Sequence, residues 1–274
     1  MKEYDIIGRM QEVLSKLRGK RNTEVYEYLD DFISDNLFMP DDDPYDIANE
    51  ILECDEPKPF PKAVRDFIEE LYTVSFENGN PDAMNAIGAL YYDGSRGFDQ
   101  DFTKAVNCYK IAAENGSRQA QENLGYCYYY GRNMPVDYEK AFRYFALGAF
   151  DGHLISLYKI GDMYKNGYYV EKNLKEAFLI YSRCLDTMTD ETAPYAAGPV
   201  FLRLGNAHLN GEGTEKDPKR ALFCFQKAEL FLYDMIQSGS YMYKKSLEAA
   251  VEGQQKAREK LGKELPGREW TFDN

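Results

Sequence analysis

A chain of 274 residues that is 44% hydrophobic can bury a substantial core, as two compact domains or as one elongated array. Its formal charge of −13 repels phosphate backbones and argues against nucleic acid as a partner, and no apolar run approaches the ~18 residues of a membrane span. Five cysteines, an odd number without CxxC spacing, argue against a disulfide framework or zinc site, so free thiols in a reducing cytoplasm are expected.

The first residues, MKEYDIIGRMQEV, carry charges throughout and lack the apolar stretch of a secretory signal. Ile6, Ile7, Met10, Val13, Leu14 and Leu17 fall at offsets of three and four, which predicts a helix over 3–18 with one apolar stripe. Gly19 and Lys20-Arg21 suit its C-terminal end. A second helix is expected over 23–38. Residues 1–60 hold seven basic and sixteen acidic side chains, a net −9. The run Asp41-Asp42-Asp43-Pro44 reads as a solvated loop, since it lacks the alternating oxygens, glycine and late glutamate of a calcium loop. A short helix over 45–54 follows. The prolines of EPKPFP at 56–61 then make a stiff connector and a domain boundary.

From Lys62 a repeat takes over. Gly88, Gly125, Gly161 and Gly205 each follow Ile or Leu, and each is followed six residues later by Gly94, Gly131, Gly167 or Gly211. Ala105, Ala141, Ala177 and Ala221 open the next helix, with Asp101, Asp137, Asn173 or Asp217 four residues before and Tyr109, Phe145, Tyr181 or Phe225 four after. The first glycine lets a neighbouring element approach, and the second ends a helix in a left-handed conformation. Asp or Asn caps the second helix, and the alanine and ring share its inner face. Each unit is therefore helix A, a loop and helix B. Lys62–Asn78 reads as a lone helix B from a degenerate earlier unit. The alanines are 36, 36 and 44 residues apart, which places an irregular insertion at 185–199, marked by Pro194 and Gly198-Pro199. Long charged helices over about 218–237 and 239–262 close the array, and 264–274, with Trp270, is a tail.

The pattern Leu124-Gly125, Tyr128, Gly131, followed by Asp137, Lys140 and Ala141, resembles the Sel-one-like repeat, a relative of the tetratricopeptide repeat with a longer A–B loop. The resemblance covers roughly 62–236. It implies an all-α fold, a right-handed α/α solenoid with N-terminal helices and a C-terminal capping helix. It also implies adaptor or scaffold work through protein contacts. The expected organisation is an acidic helical region at 1–61, repeats at 62–236, a capping helix at 237–263 and a tail at 264–274. Some secreted relatives are disulfide-rich and tied to β-lactam chemistry; this chain lacks their paired thiols.

Helix A positions that vary between copies share one face, and by the resemblance that face is concave. They supply the candidate partner-binding residues: Asn85, Tyr92, Glu122, Tyr126, Tyr129, Tyr130, Tyr158, Asp162, Lys165 and Asn166. Tyrosine offers large contact area at low entropy cost, so a tyrosine-rich groove for a peptide or protein segment is expected. An alternative reading is an inhibitor or immunity-type protein whose acidic N-terminal region blocks a basic partner. No catalytic residue, cofactor or metal is expected. Of two histidines, His208 occupies the slot of Tyr91, Tyr128 and Tyr164, and Cys127 occupies an apolar slot shared with Leu90, Met163 and Ala207. GxSxG, HExxH and a phosphate-binding GxxxxGK[ST] are absent. The chain is expected to work as a monomer, with a weak homodimer as the alternative.

Overall fold

The computed structural model describes residues 5–18, 23–35, 42–53 and 59–262, and every element among them is helical. Gly19, Lys20-Arg21, residues 36–38, Asp41, Cys54, most of the proline connector and the Trp270 tail lie outside the described residues. The chain divides into two units, residues 1–137 and 138–274.

The first unit holds α1 (Ile6–Leu17), α2 (Thr23–Asp35), α3 (Pro44–Leu52), α4 (Lys62–Glu77), α5 (Pro81–Asp93), α6 (Phe102–Glu114) and α7 (Arg118–Tyr130). The expected stripe of α1 is buried, except that Ile7 faces out at 42% exposure. Met10, Val13 and Leu17 share one core with Ile47 and Ile51 of α3, Phe67, Ile68 and Leu71 of α4, and Ile87 of α5. The N-terminal helices therefore pack against the repeat side of this unit. Asp43 adds a polar joint. It caps α3 by accepting from the Tyr45 N–H at 2.9 Å, and it also accepts from Ser75 Oγ at 2.6 Å and Asn80 Nδ2 at 3.2 Å. Burial alone would raise its pKa, but these three bonds outweigh burial and hold it below the usual value.

The second unit holds α8 (Tyr138–Phe150), α9 (Leu154–Asn166), α10 (Leu174–Asp186), α11 (Ala193–Asn210), α12 (Pro218–Gln237), a 3₁₀ turn at Tyr241–Tyr243 and α13 (Lys244–Lys260). One feature differs from expectation. The stretch marked as irregular is helical from Ala193 onward, so helix A of the fourth copy begins early. Pro194 stands in the first turn, where a missing N–H costs nothing. Ala196 to Val200 are buried, and Gly198 lies so close to Leu232 that a Cβ would come within 2.8 Å of its Cγ. Burial against α12 offsets the ~3 kcal/mol that interior Pro199 costs a helix. At the end of the unit, Lys260 Nζ donates to the Leu209 carbonyl of α11 at 3.0 Å.

The repeat positions act in register. All four alanines and all four rings are at most 3% exposed. The first glycine makes room for the ring of its own helix B: a Cβ on Gly88, Gly161 or Gly205 would meet Tyr109, Tyr181 or Phe225 at 2.5–2.7 Å. At Gly94, Gly131, Gly167 and Gly211, φ is +65° to +74°, the left-handed cap that closes helix A. The cap of each helix B then ties back to helix A. Asp101, Asp137, Asn173 and Asp217 donate their N–H to the carbonyls of Tyr91, Tyr128, Tyr164 and His208 at 2.8–3.0 Å.

Candidate interaction face

In the first unit the variable positions of α5 and α7 carry a cluster of rings. Tyr126 and Tyr130, one turn apart, stack with centroids 6.2 Å apart and planes 9° off parallel. Tyr129 meets Tyr130 edge-on at 4.8 Å. Tyr130 is 47% exposed, and its two neighbours are half-buried. Tyr92 of α5 lies edge-on to Phe102 at 5.2 Å. Its pKa is raised, first by burial, with a hydrogen bond to Arg132 opposing. Arg132 follows the left-handed cap of α7 and sets its guanidinium 5.0 Å from the Phe102 ring centre and 5.8 Å from that of Tyr130. It thus joins Tyr92 to the Tyr126–Tyr130 stack, and its Nε is buried without a hydrogen-bond partner. Arg132 lies just past helix A, so the variable helix A positions do not include it. The signal was present: the residue after the capping glycine varies as Ser95, Arg132, Tyr168 and Glu212. Asn85 accepts from Asn123 Nδ2 at 2.9 Å, a rung between α5 and α7. Glu122 is 4% exposed and so lies behind the face.

In the second unit α9 and α11 hold a closed polar network. Arg203 donates from Nε and Nη2 to the two carboxylate oxygens of Asp162, at 2.5 Å each, and from Nη1 to the Pro199 carbonyl at 2.9 Å. Tyr181 Oη donates to Asp162 at 2.8 Å. The Arg203 guanidinium lies 4.5 Å from the ring centre of Tyr158, which is 2% exposed. Burial would raise the Asp162 pKa, but the charge and hydrogen bonds of Arg203 outweigh it and hold the carboxylate below its usual value. Tyr158 and Asp162 are thus brought together, but beneath the surface. Lys165 pairs with Glu212 at 2.6 Å, and exposed Asn166 donates Nδ2 to the Asp162 carbonyl at 2.8 Å.

Burial pushes the Cys127 thiol up to about 11 and the Cys184 thiol up to about 12. His208 is 7% exposed and meets Phe178 edge-on at 5.4 Å. Burial, then Arg220, depresses its pKa, against Asp217 and a hydrogen bond to the Glu215 backbone. Among the described residues there is no group of three or more His, Cys, Asp or Glu placed to hold a metal ion, and no helix is long and apolar enough to cross a membrane.

The family model for the Sel1 repeat matches residues 81–117, 118–153, 154–183 and 202–229. The chain contains four Sel1 repeats. The gap between the third and fourth matches takes in the early turns of α11. The helices α1 to α4 and α13 lie outside the matched residues. The chain is similar to protein sel-1 homolog 2 of Mus musculus, 28% identical over 130 residues, or 47% of this chain and 19% of that protein. The Rattus norvegicus counterpart matches at 28% over 129 residues. This chain therefore covers about a fifth of the length of these curated relatives. Two solved structures share the fold. One is c5321, a protective antigen of uropathogenic Escherichia coli with an SLR fold, at TM-score 0.54 and 17% identity over 93% of this chain and 54% of that one. The other is a Sel1 repeat protein from Oxalobacter formigenes, at TM-score 0.52 and 24% identity over 80% of this chain and 84% of that one. The all-α Sel1 solenoid fold expected from the sequence is thus the fold of this chain.

Proposed function

We propose that this chain is a non-catalytic adaptor that grips a protein or peptide segment on the tyrosine face of α5 and α7. Sel1 repeats typically serve as scaffolds for protein contacts, and this reading applies that role to particular residues. The observation that carries it is the ring cluster of Tyr126, Tyr129 and Tyr130 beside Arg132, all at positions the repeat leaves variable. Rigid aromatic and arginine side chains dominate contact energies. The buried network of Tyr158, Asp162 and Arg203 ties α9 to α11 and leaves Asn166 exposed and Lys165 half-buried in its pair with Glu212. Four thiols free of disulfides, Cys108, Cys127, Cys184 and Cys224, support a cytoplasmic setting. The test is affinity purification from the native host with wild type and the Tyr126→Ala, Tyr129→Ala double variant. The adaptor reading expects a partner that the wild type retains and the variant loses while keeping its helical circular dichroism. Retention by both, or unfolding of the variant, would sink it.

A second reading has its own support. Glu24, Glu27 and Asp31 of α2 and Asp46 and Glu50 of α3, with Glu53 just past its end, form exposed acidic stripes at helical spacing. Such a surface suits the blocking of a basic partner. Charge reversal at Glu24, Glu27 and Asp31 that left the wild-type partner bound would remove this reading.

A further inference from the structure

Helix B has a side that the repeat does not use. Residues two, six and nine positions after the repeat alanine lie on one side of the helix, opposite the alanine and the ring. On a repeat helix that side is ordinarily polar. In the second unit it is not. In α8 it reads Arg143, Leu147, Phe150, with Leu147 52% and Phe150 91% exposed. In α10 it reads Leu179, Arg183, Asp186, with Leu179 51% exposed. In α12 it reads Phe223, Lys227, Leu230, with the two apolar residues 55% and 51% exposed. Five of nine positions are large and apolar, three are basic and one is acidic. The same positions of α6 in the first unit are Asn107, Ile111 and Glu114. A basic, apolar surface thus stands out on a chain of charge −13.

We infer that the outer face of α8, α10 and α12 is a second docking surface, for an acidic amphipathic helix of a partner protein. Large exposed apolar side chains in register mark contact sites. The cations choose the occupant. Arg143 is held only by an exposed intrahelical pair with Glu139, Arg183 is exposed, and Lys227 Nζ lies 5.9 Å from the Phe223 ring centre. Exposed intrahelical pairs are weak and exchange readily for a new carboxylate. An acidic segment meets these charges locally, while the acidic remainder of the chain is screened beyond about 10 Å. An anionic lipid surface is extended, so it meets the whole chain of −13 and is disfavoured. A second copy docking by the same face would set basic against basic.

The test uses the full chain and a fluorescent synthetic peptide of about 16 residues with a Leu/Phe stripe at helical spacing flanked by Glu. The expected result is anisotropy binding at least about tenfold tighter than a scrambled peptide of the same composition. Arg183→Glu with Lys227→Glu, and separately Leu147→Ser with Phe150→Ser, should each weaken it by about tenfold or more. Arg183, Leu147 and Phe150 are exposed and Lys227 is half-buried on the helix surface, so both variants should keep their circular dichroism. The Tyr126→Ala, Tyr129→Ala variant should bind the peptide normally, which separates this face from the tyrosine cluster. Equal binding of the scrambled peptide, or indifference to both outer-face variants, would overturn the inference. So would binding of the face to phosphatidylcholine vesicles containing phosphatidylserine in place of the peptide, or self-association that the same variants abolish.

Discussion

Gly161 shows how a single residue can oppose its own propensity. Alanine is the better helix former by about 1 kcal/mol, so Gly161→Ala in an isolated helix would be stabilising. Here a Cβ would lie 2.5 Å from the Tyr181 ring, and that ring is held in place by its bond to Asp162. Overpacking costs typically about 1–3 kcal/mol and wins, so Gly161→Ala should lower the chemical-denaturation midpoint. His208 gives a pH-dependent counterpart. It fills the tyrosine slot: Tyr164 meets Phe142 edge-on at 6.3 Å, as His208 meets Phe178. Its folded pKa is depressed by burial, so the folded state favours neutral imidazole. Above about pH 6.5 both states are neutral and nothing is lost. As the pH falls below that value the unfolded chain takes up a proton that the folded chain resists, and stability declines until the folded value is passed. His208→Tyr should fold and should flatten the melting temperature against pH as the pH falls below about 6.5. An unchanged pH slope would mean that other groups carry it. Both positions were legible in the sequence because the repeat displays them four times. Tyr158 and Asp162 were less so. Variation between copies marked them as contact residues, yet they vary because Arg203 varies with them, and such a pairing across 41 residues appears only in three dimensions.

At the scale of the element, caps and periodicity made most of the repeat helices readable, because Asp, Asn and Gly act within a few residues of where they stand. The early turns of α11 were not readable by that route. Pro194, Gly198 and Pro199 are local breakers, and what overrides them is burial against α12, a contact more than 30 residues away. The last helix depends on the same kind of distant contact. The Phe225 ring has Gly205 of α11 on one side and Gly253 of α13 on the other, where a Cβ would come within 2.6 Å of the ring. Leu247 and Ala250 of α13 share a cluster with Ala228, Leu232 and Ile236 of α12. Removing residues 241–274 would uncover that cluster, and a solenoid needs a polar terminal helix to cover its last apolar face. The truncated chain should bind an apolar dye such as ANS and self-associate on gel filtration. A monodisperse, dye-silent truncation would show that α13 is dispensable.

At the scale of the whole molecule, charge separates the competing readings. The first 60 residues carry −9 of the net −13, and Glu24, Glu27, Asp30 and Asp31 of α2 and Asp46 and Glu50 of α3 stand exposed. The tyrosine cluster of the same unit is aromatic, with one guanidinium among its rings. Contacts made by exposed charges weaken as the screening length falls from about 10 Å at 0.1 M salt to about 3 Å at 1 M. Contacts made by buried rings do not, because apolar burial is independent of screening and is strengthened by excluded salts. If a partner is held by the ring cluster, its affinity should change less than about threefold between 0.1 and 0.5 M sodium chloride. If it is held by the acidic stripes, the association rate should fall by an order of magnitude or more over that range, with the dissociation rate nearly constant. Surface plasmon resonance with the affinity-purified partner resolves the two rates. A steep fall in the association rate that persists after charge reversal at Glu24, Glu27 and Asp31 would reject both assignments and place the charged contact elsewhere on the chain.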